Sequence, residues 1–241
     1  MSTSSPKPLS PQKALELYTD GAYLDQNPTW GVEDSAWKAT QIKDILINNG
    51  VLPKTVCEVG CGAGEIVRQL SLSFPTTQFV GYEVSPQAFE LCQQRISPQI
   101  QFHLKNLCDE DVLFDCLLCI DVFEHVEDYF GFIRALKNKA EYKIFYVPLD
   151  ISVLSILRSS MMARRLDVGH LHYFSKETAL ATLKDCGYEI IEALYTTPFN
   201  DIPAKKFETK LARIPRKLLH KISPDWSARL LGGSSLLVLA K

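Results

Sequence analysis

Residues 56–66 read VCEVGCGAGEI, and this stretch decides the fold. The apolar run ending at Val59 is typical of a buried strand, and glycines at 60, 62 and 64 predict a tight turn that opens into a helix. Glycine suits positive φ and lets backbone approach a ligand closely. The free N–H groups of a helix N-terminus favour an anionic group. We therefore expect a nucleotide-type cofactor at the carboxyl end of the first strand of an α/β sheet.

The spacing of the glycines narrows the choice of cofactor. A dinucleotide fingerprint, G-x-G-x-x-G, would place its third glycine at position 65, where this chain has Glu65. Here the third glycine is Gly64, and a carboxylate, Glu58, stands two residues before the first. This E-x-G-x-G-x-G pattern resembles motif I of the class I S-adenosylmethionine-dependent methyltransferases. The alternative is a glycine-rich turn without a ligand, which the backbone entropy of three alternating glycines disfavours.

Strands and helices alternate along the rest of the chain. Apolar and β-branched runs predict strands at 54–59, 78–83, 101–104, 114–120, 142–147, 188–195 and 236–240. Helices are expected at 34–48 and 63–73, after Ser85-Pro86, and from Ser175 to Gly187. This alternation predicts a mostly parallel sheet with helices on both faces. The resemblance implies the Rossmann-like class I methyltransferase fold with seven strands. We expect residues 1–32 to form an N-terminal tail and cap, and residues 33–241 the cofactor-binding domain.

Two lid inserts, at about 151–172 and 201–231, fall outside the alternation. Residues 151–168 read as an amphipathic helix. Its Leu154, Leu157 and Met161 would close the pocket for the acceptor, the molecule that a methyltransferase would methylate. The second insert is locally basic, and Pro215 is expected to split or kink its helix. Its basic stretch, 205–221, would form the outer wall of the pocket. It could otherwise be a solvated basic face, a site for an acidic or phosphate-bearing substrate, or a contact with an anionic membrane surface.

Composition excludes several classes of protein. The net charge of −2 over 241 residues gives no global basic field, so we expect no nucleic-acid partner. No apolar run approaches the ~20 residues of a membrane span. Residues 1–13 lack the apolar core of a signal peptide and are expected to be disordered. Of seven cysteines, Cys116 and Cys119 have C-x-x-C spacing, but an odd offset in a strand points them to opposite faces. We expect reduced core thiols in a cytoplasmic protein.

The resemblance to class I methyltransferases also implies a set of cofactor contacts. Glu83 ends the second strand 23 positions after Gly60, close to the ~20-residue offset of a ribose-binding acid, although it could be a solvated strand-end carboxylate. The loop after strand three would meet adenine through Asn106 or Asp109, residues that are common in any loop. The expected cofactor-binding residues are Glu58, Gly60, Cys61, Gly62, Gly64, Glu83, Val84, Asn106, Leu107, Asp121 and Val122.

Two further segments carry the resemblance, which covers most of residues 54–195. Residues 120–128, IDVFEHVED, resemble the segment after strand four in small-molecule methyltransferases, including the ubiquinone-pathway O-methyltransferases. Residues 169–175, GHLHYFS, resemble the H-x-x-Y-F-S stretch before the last major helix of that superfamily. The turn before strand five departs from many relatives, since it reads Lys-Asn-Lys-Ala at 137–140 instead of containing a proline-glycine pair.

Histidines supply the candidate catalytic groups. His172 and His125 are expected to act as general bases, because a histidine near neutral pKa can remove a hydroxyl or amine proton. His170 and Tyr173 are expected to contact the acceptor. Asp121, Glu124 and His125 also match a D/E-x-x-E-H metal pattern seen in a few methyltransferases, in which His170 or His172 could join as a ligand. The alternative is that Glu124 and His125 cap and pack the next helix, and we expect no metal.

These patterns together predict transfer of a methyl group from S-adenosylmethionine to an oxygen or nitrogen of a small molecule. A glycan, a sugar nucleotide or a secondary metabolite would fit as acceptor. A non-catalytic module that binds S-adenosylmethionine is the main alternative. An NAD-dependent oxidoreductase is a weaker one, because the third glycine is misplaced for it. The sequence leaves the acceptor and the oligomeric state open.

Overall fold

A seven-stranded sheet forms the centre of the molecule. We use a computed structural model, which describes Tyr18, Leu24 and residues 27–202 and 207–241, except for the side chains of 207–212. The strands run in the order β3-β2-β1-β4-β5-β7-β6. They are β1 Thr55–Val59, β2 Gln78–Glu83, β3 Ile100–Leu104, β4 Phe114–Ile120, β5 Ala140–Pro148, β6 Ile190–Thr196 and β7 Ser235–Ala240. Neighbours from β3 to β5 pair in parallel, and β7 is antiparallel to β5 and β6. The predicted Rossmann-like fold is confirmed.

Helices cover both faces of the sheet. They are α1 Ser35–Asn48, α2 Glu65–Ser73, α3 Pro86–Cys92, α4 Tyr129–Leu136, α5 Val153–Leu157, α6 Ser160–Asp167, α7 Lys176–Asp185, α8 Pro198–Asp201, α9 Phe207–Ile222 and α10 Pro224–Leu231. Each face of the sheet packs into its own apolar cluster, so that Val56 and Cys57, neighbours in β1, belong to different clusters. Burial on both faces explains why the central strands are almost continuously apolar.

Local capping signals place the helices close to their predicted positions. The Ser85 hydroxyl accepts a hydrogen bond from the Ala88 N–H, with Pro86 in the first turn of α3. Ser175 forms a capping box with Thr178 at the start of α7. These residues satisfy backbone N–H groups that a helix start leaves unpaired, which is why they could be recognised in the sequence.

The two lid inserts differ from their predicted form. The chain breaks the expected helix of the first insert at Ser159, whose φ of 52° separates α5 from α6. In the second insert α9 continues through Pro215, so the expected split does not occur there. The break comes at Ser223-Pro224 instead, where proline takes the first position of α10 and Ser223 caps it. Lys205 and Lys206, like the expected disordered segment 1–13, lie outside the described residues.

All seven cysteines are free thiols. Cys116 and Cys119 lie in the clusters on opposite faces of the sheet, as their odd offset predicts, and burial raises the pKa of both thiols. Because the two thiols lie on opposite faces of the sheet, the structure supports neither a redox-active cysteine pair nor a metal site at this C-x-x-C. Among the helices that the structure describes, none has the length and apolarity to cross a bilayer.

Candidate active site

One cavity of about 780 Å³ opens at the carboxyl ends of β1 and β4. The strand order reverses between these two strands, which is where ligands bind in open α/β sheets. Its lining comes from the glycine turn, the ends of β1, β2, β4 and β5, the start of α1 with the segment before it, the first insert, Pro198 and the turn before β7. The lining includes Tyr18, Trp30, Lys38, Glu58, Gly60, Cys61, Gly62, Glu83, Val84, Asp121, Val122, His125, Asp150, Arg164, Val168 and His170.

The glycine turn can be built only with glycine. Gly62 has φ of 54° and Gly64 has φ of 74°, in the left-handed region that side chains disfavour. A Cβ on Gly62 would lie 2.7 Å from Cδ1 of Trp30, and one on Gly64 would lie 2.5 Å from Cε1 of Phe102. Gly62 lines the cavity, whereas Gly64 lies behind it as the residue before α2. The turn predicted from the sequence is therefore present, and Trp30 packs against Gly62.

Glu83 fastens this turn to the end of β2. One carboxylate oxygen accepts from the Gly62 N–H, and the other accepts from the N–H groups of Val84 and Ser85, all at 2.8 Å. Burial raises the pKa of Glu83, and the three backbone donors oppose that rise. A carboxylate has about four lone-pair sites, so about one remains to accept a ligand hydroxyl. The alternative of a solvated strand-end acid is wrong, since Glu83 is buried.

Glu58 is a second buried acid in the cavity wall. Its Oε2 has no hydrogen-bond partner among the described residues. Burial raises the pKa of Glu58 well above its usual range, with Cys92 and Glu83 adding to the rise and Lys38 opposing it. A buried oxygen without a partner is costly. A donor group on a bound ligand would remove that cost.

Asp121 occupies a strained position at the end of β4. Its φ of 52° is unusual for a residue with a side chain, and such strain is concentrated at functional sites. Lys38 of α1 places Nζ 2.7 Å from Asp121 and 2.9 Å from Asp34. Burial lowers the pKa of Lys38, but these two carboxylates outweigh it and leave the pKa raised. The lysine therefore stays charged and holds Asp121 in the wall.

A cluster of titratable groups lines the far end of the cavity. Nδ1 of His170 lies 2.6 Å from Asp150 Oδ2, and Arg164 Nε lies 2.8 Å from the other oxygen of that carboxylate. The rings of His125 and His170 meet edge to face, with centroids 4.8 Å apart. Because a carboxylate only accepts, Nδ1 of His170 carries the proton of this hydrogen bond, and Nε2 is the ring nitrogen left to accept another.

His125 and Glu124 complete the cluster. The Tyr18 hydroxyl lies 2.8 Å from Nδ1 of His125 and donates to the Val168 carbonyl at 2.6 Å, so Tyr18 is held at this end of the cavity. Both carboxyl oxygens of Glu124 are buried without hydrogen-bond partners among the described residues, and Oε1 lies 3.8 Å from Nε2 of His125. Burial, with Asp121 adding to it, raises the pKa of Glu124 well above its usual range.

The structure places several predicted site residues away from the cavity. His172 donates from Nε2 to the carbonyls of Val126 and Glu127, at 3.0 and 3.1 Å. The Tyr173 hydroxyl donates to the Met161 carbonyl. The reason is the backbone, because the N–H groups of Leu171 and His172 both donate to the Glu124 carbonyl and fix how this segment lies. His172 and Tyr173 therefore lie outside the cavity lining, which corrects the predictions of His172 as the base and of Tyr173 as a pocket residue. Gly64, Asn106, Leu107, Leu154, Leu157 and Met161 are also outside the lining.

Reasoning from sequence missed five contributors to the site, one of them Arg164, which lies within the first insert. Asp150 follows β5 as Glu83 follows β2, so the rule that strand-end acids meet at the ligand crevice could have found it. Lys38 lies inside a helix, and Tyr18 and Trp30 lie in a segment without periodicity, so no comparable signal marked them. The described residues of 213–231 do not line the cavity, which contradicts the expected outer wall there.

The buried position of His125 predicts a pH dependence of stability. Burial, reinforced by His170, lowers the pKa of His125 to about 4. The unfolded chain takes up that proton near pH 6.5, so this contribution to stability is complete above about pH 6.5 and is lost towards pH 4. Between pH 7 and 5 the free energy of unfolding should fall by about 2 kcal/mol more in the wild type than in His125→Gln. Denaturant titration at both pH values measures this, and equal losses in the two proteins would contradict it.

The metal alternative can be compared with these positions. One ligand atom from each of Glu124, His125 and His170 lies within 4.8 Å of the others, a spacing that a cation could bridge. Asp121, by contrast, is held by Lys38, and His172 by backbone carbonyls. The residues that fit a metal are therefore Glu124, His125 and His170.

We expect methyl transfer to proceed without a metal, because the methyl group of a sulfonium is already activated and the acceptor proton can pass to histidine. The measurement is turnover before and after treatment with EDTA, followed by addition of magnesium or zinc. Activity lost with EDTA and restored by either ion would make Glu124, His125 and His170 metal ligands.

Comparison with known proteins identifies the class. The methyltransferase domain family matches residues 38–193, well over half of the chain. The chain belongs to this family. The predicted class, an S-adenosylmethionine-dependent class I methyltransferase, is confirmed, and with it the cofactor. No curated protein gives a significant sequence match.

Three solved structures show the same fold at low sequence identity. Magnesium protoporphyrin IX methyltransferase from Synechocystis PCC 6803, with bound S-adenosylmethionine, is 16% identical, with 98% of this chain and 99% of that chain covered and a TM-score of 0.62. The N-methyltransferase NodS from Bradyrhizobium japonicum WM9 is 17% identical, with 97% and 98% covered and a TM-score of 0.56. The plantazolicin methyltransferase BpumL, with a desmethyl plantazolicin analog, is 14% identical, with 94% and 92% covered and a TM-score of 0.60.

Proposed function

We propose that this methyltransferase acts on an oxygen or nitrogen of a small-molecule acceptor, with His170 taking the acceptor proton. The observation that carries the proposal is a single cavity that joins the glycine turn at one end to the His170–Asp150 pair at the other. Such a cavity would bring the cofactor and the acceptor into one space, as a direct displacement requires.

The residues at the glycine end suit the parts of S-adenosylmethionine. The remaining lone pair of Glu83 would accept from a ribose hydroxyl, while Val84 and Val122 flank the same region. The unpartnered Oε2 of Glu58 would accept from the ammonium of the methionine part. When bound, the cofactor supplies a methyl group on a positively charged sulfur. The side chains therefore need only to hold it and to exclude water.

The far end of the cavity suits proton removal. Asp150 holds Nδ1–H of His170, so Nε2 can accept the proton of an acceptor hydroxyl or amine. The side chain of Arg164 bonds the other oxygen of Asp150 and keeps this carboxylate oriented. His125 stays neutral near pH 7, since its pKa is lowered to about 4, and so adds no positive charge beside the cofactor's sulfonium. Tyr18 and Trp30 cover the cavity on the side of the N-terminal cap.

The size of the cavity supports a small acceptor. Small-molecule sites commonly enclose ~300–1,000 Å³, and about 780 Å³ leaves space for an acceptor beside a nucleoside cofactor. A glycan, a sugar nucleotide or a secondary metabolite remains the proposed class. The magnesium protoporphyrin and plantazolicin methyltransferases are named for small-molecule or peptide acceptors, which agrees with a cavity of this size.

The first test is cofactor choice followed by turnover. Calorimetry should show binding of S-adenosylmethionine and S-adenosylhomocysteine, and no binding of NAD, because the glycine spacing and Glu83 suit the former. The protein is then incubated with methyl-labelled cofactor and fractionated metabolite pools, with heat-denatured protein as the control. Label in a small molecule supports the proposal. Tight NAD binding alone, or cofactor binding without transfer to any pool, would contradict it and favour one of the two alternatives.

A further inference from the structure

Helix α9 turns apolar side chains towards solvent. Ile214, Leu218 and Ile222 are 50%, 59% and 82% exposed, and their spacing of four residues places them along one side of the helix. Arg216, on another side of the helix, is half-buried, and its Nε donates to the Leu231 carbonyl at 3.1 Å. A helix on the surface of a water-soluble domain normally shows the opposite arrangement. Within the described residues, nothing covers this apolar side.

Two adjoining helices extend the exposed surface. Helix α10 packs against α9 and also against α5. Trp226 of α10 and Ile156 and Leu157 of α5 are exposed. Single exposed leucines are common, but apolar side chains on three adjoining helices indicate an interaction surface. We call the six residues Ile156, Leu157, Ile214, Leu218, Ile222 and Trp226 the outer apolar patch.

Positive charge accompanies this patch. Residues 153–167 and 213–231 contain eight cations against Asp167 and Asp225. Arg164 pairs with Asp150 in the cavity wall, and Arg229 pairs with Asp225 and Glu177. The cations outside these pairs are Arg158, Arg165, Arg213, Arg216, Lys217 and Lys221. The net charge of the whole chain is −2, so positive charge is concentrated on these helices. Burial lowers the pKa of Arg216, and the nearby Arg158 and Arg213 lower it further, which shows that α5 and α9 bring their cations close together. The patch is therefore suited to an anionic partner.

We propose that the outer apolar patch docks on an anionic lipid bilayer. Exposed apolar side chains on a helix that also carries Lys217 and Lys221 are the arrangement by which a helix lies in the plane of a membrane interface. Trp226 adds an aromatic ring of the kind enriched at that depth, and the basic side chains would contact lipid phosphates. The docking surface does not depend on which acceptor is methylated, because none of the six patch residues lines the cavity.

The test uses the full chain and two kinds of vesicle, phosphatidylcholine alone and phosphatidylcholine with about one-third phosphatidylglycerol. The protein should sediment with the anionic vesicles and not with the neutral ones, and added salt should weaken the binding. Leu218→Glu with Ile222→Glu should lower partitioning by roughly tenfold or more, and so should Lys217→Glu with Lys221→Glu. Emission from Trp226 should shift to the blue on binding. That shift should be absent in a Trp226→Phe variant, which retains the tryptophans at positions 30 and 37.

The matched control is Leu72→Glu with Leu113→Glu, two leucines that are 70% and 75% exposed outside the patch. This variant should bind vesicles like the wild type. Failure of the wild type to sediment with anionic vesicles, or equal binding by patch and control variants, would overturn the proposal. So would a wild-type dimer in light scattering that the patch variants convert to monomer, because a second copy would then cover the face. Binding of S-adenosylhomocysteine shows that each variant is folded. The salt dependence is measured on the wild type, so it tests the proposal even if a variant fails to fold.

Discussion

Methyl transfer by a His170→Ala variant should be slower by ~10²–10⁴-fold, with affinity for S-adenosylhomocysteine nearly unchanged. The expected loss follows from geometry: Nδ1–H of His170 is held by Asp150 at 2.6 Å, and the ring lines the cavity. The variant lacks the nitrogen that takes up the acceptor proton but retains the glycine turn, Glu58 and Glu83. Single-turnover kinetics with the acceptor found in the screen measures the rate, and calorimetry measures the affinity.

The control for this prediction is His172→Ala. His172 lies two residues away and bonds only backbone carbonyls, so its removal should reduce thermal stability and leave the rate of the folded enzyme near the wild-type value. A large rate loss in His172→Ala with an unchanged rate in His170→Ala would reverse the assignment and restore the prediction made from sequence. Equal rates in both variants would place the base elsewhere.

Glu83→Ala should weaken cofactor binding by ~2–4 kcal/mol, or roughly 30- to 700-fold in dissociation constant. The carboxylate is expected to accept from the ribose and also holds the N–H groups of Gly62, Val84 and Ser85. Its removal leaves buried donors without partners, so stability should fall too, by ~1–3 kcal/mol for each donor that water cannot reach.

The measurement is calorimetry with S-adenosylhomocysteine at a temperature where thermal melting shows the variant folded. Glu90→Ala, which removes an exposed acid from α3, is the control and should bind like the wild type. An unchanged dissociation constant in folded Glu83→Ala would assign the ribose contact to another residue.

Much of the fold was predictable because its signals are local. The strand ending at Val59, the glycines after it and the capping residues Ser85 and Ser175 each determine the backbone within a few positions of themselves. The same local logic predicted Glu58, Glu83 and Asp121, since acids at the ends of parallel strands meet at one edge of the sheet. Asp150 obeys this rule as well.

The catalytic end was less predictable because distant contacts determine it. His170 and His172 have similar sequence surroundings, and the Glu124 carbonyl, which accepts from the N–H groups of Leu171 and His172, helps to fix which ring enters the cavity. Tyr18 reaches His125 across 107 positions, and Lys38 reaches Asp121 across 83. Contacts over such separations leave no periodic pattern in the sequence.

The position of Trp30 gives this protein a built-in optical reporter. Its indole lies against Gly62, at the edge of the space that the cofactor is expected to fill. Indole emission depends on the polarity and mobility of its surroundings, so arrival of an adenosyl group should change the intensity within the mixing time of a stopped-flow instrument. Replacement of the other two tryptophans, Trp37 and Trp226, by phenylalanine would leave a single emitter. Cofactor exchange could then be timed in unlabelled protein before any acceptor is known.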